Sequence, residues 1–101
     1  MDLSATDLRG EKLNPLESCG QLQQLFLTGC IIDKESVLAI SRIAALQELD
    51  LSGTELTDEM LKILSALPNL KAINALGTKV TDKAAQQLKA HSPGLTLKVG
   101  D

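Results

Sequence analysis

This sequence is nearly devoid of aromatic residues: Phe26 stands alone, with no Trp and no Tyr in 101 residues. Stacking platforms for single-stranded nucleic acid need several ring faces, so that class of function is excluded. Basic residues are not in excess either, since 10 Lys and Arg face 13 Asp and Glu for a net charge of -3. Clustered cations that neutralise phosphates are therefore missing, and no nucleic-acid partner is expected. Only two cysteines occur, Cys19 and Cys30, fewer than a disulfide framework uses. The longest apolar runs, Val37 to Ile40 and Ile43 to Leu46, are four residues each. That is far short of the ~20 residues of a membrane span, so no membrane partner is expected. The opening residues, Met1-Asp2-Leu3-Ser4-Ala5-Thr6-Asp7, lack the basic segment and apolar core of a secretory signal. A reduced, cytoplasmic protein is the expectation.

What the chain does have is leucine, 20 residues of it, distributed with a fixed period. Three segments align: Leu22-Gln23-Gln24-Leu25-Phe26-Leu27-Thr28-Gly29-Cys30-Ile31-Ile32-Asp33, then Leu46 to Thr57, then Leu70 to Thr81. Each begins 24 residues after the last, with apolar residues at the first, fourth, sixth and eleventh positions, Gly at the eighth and Cys or Thr at the ninth. Residues 1–8 match the same pattern from its fourth position, so the chain opens in mid-repeat. The organisation expected is one domain over 1–101, with a partial repeat 1–21, repeats 22–45, 46–69 and 70–93, and a terminal strand over 94–101.

Within each unit, alternation with period two marks a short strand: Leu25 and Leu27 point inward and Phe26 outward. Spacings of three then mark a helix, in Val37, Ile40 and Ile43, in Leu61, Leu64 and Leu67, and in Ala85 and Leu88. Asp33, Thr57 and Thr81 precede these segments as N-caps. Pro68 and Pro93-Gly94 are expected to stop the second and third helices. One strand and one short helix cannot bury their own leucines, so successive units must stack and share a core.

These residues resemble the leucine-rich-repeat (LRR) family, in the subclass with an LxxLxLxx(C/T)xΦ(T/D) unit. The resemblance spans essentially the whole chain. It implies an α/β fold, a right-handed βα solenoid with a short parallel sheet on its concave face and helices on its convex face. It also implies a protein-interaction role without cofactor. The chain departs from many such repeats at the ninth position, where Thr6, Cys30, Thr54 and Thr78 replace the buried asparagine ladder. The stretch from Arg9 to Gly20 offers only Leu13, Pro15 and Leu16 for a convex element, so a short or irregular helix is expected there.

Catalytic chemistry finds little support. Cys30 shares its column with Thr54 and Thr78, where a small side chain packs under the turn and bonds to backbone. Cys19 is expected in a loop, with no base near it in sequence. His91, the sole histidine, falls near the end of the third helix and lacks partners at metal-ligand spacing. Gly29, Gly53 and Gly77 belong to the repeat turn and not to a phosphate loop, because no GxxxxGK[ST] occurs. No enzyme, no metal and no cofactor are therefore expected.

If the leucines face inward, the intervening strand residues form an outer surface. Its central column reads Asp2, Phe26, Asp50, Asn74 and Lys98, flanked by Gln24, Glu48 and Ala72 on one side and by Ser4, Thr28, Ser52 and Leu76 on the other. Gln24, Phe26, Thr28, Glu48, Asp50, Ser52, Asn74 and Leu76 are the candidate protein-binding residues, with Phe26 expected to point at solvent as an aromatic anchor. Five strands at ~4.8 Å span roughly 20 Å, a face smaller than the ~800 Å² per partner of a standard interface. Adjacent loops must then contribute. An accessory-subunit role is the alternative, with the N-terminal edge strand, Met1 to Leu3, pairing with a second copy or a larger assembly.

Overall fold

The computed structural model describes residues 2–10, 12, 13, 15 and 20–100. Strands and helices alternate along it: β1 (Gln24–Phe26), α1 (Lys34–Ile40), β2 (Glu48–Asp50), α2 (Asp58–Leu64), β3 (Ala72–Leu76), α3 (Asp82–His91) and β4 (Thr96–Gly100). The strands form one parallel sheet in the order β1-β2-β3-β4. Its register follows the sequence period: Leu25 pairs with Leu49, Leu49 with Ile73, and Ile73 with Leu97. Upstream, Asp2 forms an isolated parallel bridge with Phe26 and Asp7 another with Ile31. Of the expected edge strand, Met1 lies outside the described residues and Asp2 contributes this one bridge.

Side-chain alternation decides the core. Leu25, Leu49, Ile73 and Leu97 form one buried rung across the sheet, and Leu27, Leu51 and Ala75 form a second. Val37 and Ile40 from α1, Leu61 and Leu64 from α2, and Ala85 and Leu88 from α3 join them in one apolar cluster. Burial of these side chains is the main favourable term, at about 1.5–3 kcal/mol for each large aliphatic group.

Each helix starts where a side-chain oxygen accepts an otherwise unpaired amide. Asp33 accepts from the Ser36 amide, Thr57 from Met60 and Thr81 from Ala84. The Asp33 carboxylate also accepts from the Gly10 amide at 3.0 Å, and Asp58 accepts from the Thr81 amide and hydroxyl, both at 2.8 Å. The caps thus link neighbouring turns of the chain as well as starting helices. Ser36 is fully buried on α1, where its hydroxyl donates to the Leu8 carbonyl.

The helix ends correct the sequence reading. α2 stops at Leu64, well before Pro68, and α1 stops at the equivalent Ile40 with no proline after it. At both C-caps a serine hydroxyl bonds back, Ser41 to the Leu38 carbonyl and Ser65 to that of Lys62. Tighter turns follow, with Ile43 donating to Ile40 and Leu67 to Leu64. These turns swing Ile43 and Leu67 into the core, so burial of the next aliphatic residue ends the helix rather than proline. In α3 the equivalent residue is His91, which stays exposed, and the helix runs 10 residues instead of 7. There Pro93 does act: the preceding Ser92 is pushed to a non-helical φ of -132 and ψ of 75.

The strand-to-helix turns stack as well. Gly29, Gly53 and Gly77 adopt φ of 70, 69 and 68, and Ala5 takes the same place in the first turn at φ 59. Their amides donate in series to Thr28, Ser52, Leu76 and Gly100, beginning with Ala5. Among the described residues, no helix is long and apolar enough to cross a membrane.

Candidate functional site

The outward residues of the sheet converge on a shallow depression of about 210 Å³, walled by Phe26, Glu48, Asp50, Asn74, Thr96 and Lys98 and floored by Ala72. Its origin is steric. In the flanking column Gln24 and Glu48 are followed by Ala72, whose methyl leaves a gap before Thr96. Four of the candidate residues meet here: Phe26, Glu48, Asp50 and Asn74. Gln24, Thr28, Ser52 and Leu76 lie outside the depression, although all are at the same sheet surface or its rim.

Phe26 is half-buried rather than fully in solvent, and part of it stays accessible. It lies between Asp2 and Asp50 in the pairing register, and Gln24, two residues before it, donates to the Glu48 carboxylate at 3.2 Å. Three acidic residues therefore occupy the register positions next to Phe26, while Lys98 stands at the far side of the depression.

The central column has a structural task that the sequence reading missed. Asp2 accepts from the Ser4 amide at 2.9 Å, Asp50 from the Ser52 amide at 3.0 Å and Asn74 from the Leu76 amide at 3.1 Å. Each is an Asx turn, in which the side chain fixes the backbone two residues on. Ser52 adds its hydroxyl to Asp50 at 2.7 Å and lies 3.4 Å from that of Thr28. Ser4, through its hydroxyl first and its amide second, also holds the Asp2 carboxyl below the usual carboxylate range. Asp or Asn recurring two residues ahead of the turn was the available signal. Phe26 offers no such acceptor, and it interrupts a column otherwise used to tie down the turns.

On the ninth-position column the hydroxyls work under the turn. Thr54 donates to the Leu51 carbonyl at 2.6 Å and Thr78 to that of Ala75 at 2.7 Å. Cys30, buried and unpaired, instead contacts the Leu3 carbonyl of the preceding turn, Sγ to O 3.0 Å. Cys19 lies outside the described residues. At the first turn Asp7 chelates the Arg9 guanidinium, and that bond holds its carboxyl well below the ordinary range. Among the described residues there is no cluster of three or more His, Cys, Asp or Glu side chains able to hold a metal.

A broader groove of about 510 Å³ runs between α2 and α3 on the opposite side, with Leu61, Ala84 and Leu88 at its base and Asp58, Lys62 and His91 among its rim. It opens because Ala84 and Ala85 stand one period after Met60 and Leu61, so α3 presents methyl groups where α2 presents long side chains. No protein-family model matches the chain, and no curated protein shows significant similarity to it.

Proposed function

We propose that this chain is a leucine-rich-repeat solenoid that serves as a non-catalytic scaffold, holding a protein partner on the concave face of its sheet. The solenoid reading is supported by units that stack at one constant offset of 24 residues, by the column of left-handed turns and by caps that bond from unit to unit. Stacked units of this kind leave one outward side chain per strand position free to vary.

The observation that carries the binding role is Phe26. Its neighbours in the column show what the fold prefers at that position, a short acceptor bonded to the amide two residues on. A phenylalanine forgoes that bond and keeps apolar surface accessible beside carboxylates. Aromatic side chains so placed are typical anchors of interfaces.

The substitution Phe26→Asn tests this role, because it supplies the acceptor that Asn74 uses one unit pair later. Unfolding free energy should change by less than about 1 kcal/mol, since lost ring burial is offset by the new bond. Affinity capture from native lysate should lose the proteins retained by the wild type. A variant that unfolds readily while retaining those proteins would show that the ring serves the fold and not a partner.

A further inference from the structure

The charges around the depression are separated by sign, and that separation specifies a partner. Asp2 and Asp50 flank Phe26 on the adjoining strand positions, with Glu48 diagonal to it, whereas Lys98 occupies the same column three strands away from Phe26. Three strand spacings of ~4.8 Å make roughly 14 Å. An extended chain rises ~3.3 Å per residue, so four residues cover about 13 Å. An even interval also puts both side chains on the same face of the partner strand.

We propose that the face takes an extended segment of a partner protein lying across the strands, with a Lys or Arg side chain over Phe26 and an Asp or Glu four residues away over Lys98. This rests on the interaction role proposed above and deepens it. The ring face attracts a cation through its quadrupole, and the three carboxylates neutralise that cation from the sides. The Ala72 gap gives the segment room between the two charged ends. Because each end matches one sign, a segment with two basic residues meets repulsion at Lys98 and one with two acidic residues meets it at the ring. The order along the partner can run in either chain direction, since the column fixes the spacing and not the polarity.

Panning a random twelve-residue peptide library against the intact chain, followed by titration of the enriched peptides, tests the proposal. Enriched peptides should carry Lys or Arg with Asp or Glu four residues before or after it. Their affinity should fall about fivefold or more in the variant Asp2→Asn, Glu48→Gln, Asp50→Asn. The asparagines preserve the turn bonds, as Asn74 already does. Raising salt on the wild-type chain should weaken the same peptides, which provides a readout independent of how well the variant folds. Peptides that lose binding with Phe26→Asn but carry no basic residue overturn the charge-specified partner and leave the interaction role standing. Peptides indifferent to Phe26→Asn, or no enrichment at all, overturn both.

Discussion

Ala5 is a non-glycine residue with positive φ, and it occupies the column that glycine fills in the next three turns. Replacing it tests whether backbone conformation or close stacking selects glycine there. An L-residue in the left-handed region costs about 1–2 kcal/mol, and a glycine in its place returns about 0.4–1 kcal/mol of that to unfolded-state entropy. Ala5→Gly should therefore stabilise the chain by about 0.5–1 kcal/mol, or roughly 2–8 °C in Tm for a domain of this size. Urea unfolding followed by far-ultraviolet circular dichroism measures it, with an unchanged m-value showing that the transition itself is the same. The reciprocal variants sharpen the test. A Cβ on Gly29 meets nothing within 4 Å, whereas one on Gly53 meets the Gly29 amide nitrogen at 3.7 Å and its Cα at 3.8 Å, ordinary contact distances. Gly29→Ala and Gly53→Ala should therefore cost the same, about 1 kcal/mol each. A destabilised Ala5→Gly, or a Gly53→Ala far worse than Gly29→Ala, would refute the conformational explanation and point to the packing of turn on turn.

Three further outcomes follow from the bonds described. Thr54→Val removes the hydroxyl bonded to the Leu51 carbonyl inside the turn and should cost about 1–2 kcal/mol in urea unfolding, with Thr54→Ser recovering most of it. The Asp33 carboxyl is held below its ordinary value, first by the Ser36 amide and also by the Gly10 amide. Between its folded value and about 3.9 the unfolded chain binds the extra proton, so the stability Asp33 confers is present above that range and lost on acidification through it. Stability measured against pH should show a shallower acid limb in Asp33→Ala than in the wild type. Leu49→Ala should cost about 2–5 kcal/mol, while Glu48→Ala on the same strand should stay within about 0.5 kcal/mol, a contrast that thermal unfolding resolves.

The strands, their register and the helix starts were legible because each depends on one residue class recurring at one interval. Leu25, Leu49, Ile73 and Leu97 pair as the spacing requires, and Asp33, Thr57 and Thr81 cap as their side chains allow. Helix ends were less legible, because they depend on competition. Pro68 looked like the stop, yet the Ser65 hydroxyl and the burial of Leu67 had already ended the helix. His91 changed the outcome in α3 by offering no aliphatic group to bury. The outer face of the sheet was half legible: Phe26 stood out by composition, but its half-burial and the depression over Ala72 depend on neighbours that pair only once the sheet forms.

The central column separates what the fold requires from what it leaves free. Asp2, Asp50 and Asn74 have a local task, since each accepts the amide that closes its own turn. Two of the three, Asp2 and Asp50, are acidic, so the turns place negative side chains along part of the sheet as a by-product of their own geometry. Phe26 interrupts that series, because its ring cannot act as the acceptor, whereas Lys98 lies within β4, where the residue two positions on is still strand. Phe26 and Lys98 stand at opposite sides of the depression. A column built for turn stability alone would carry Asp or Asn at position 26. The ring there is a departure that the packing of the leucines does not call for, and it is where variants should separate binding from folding.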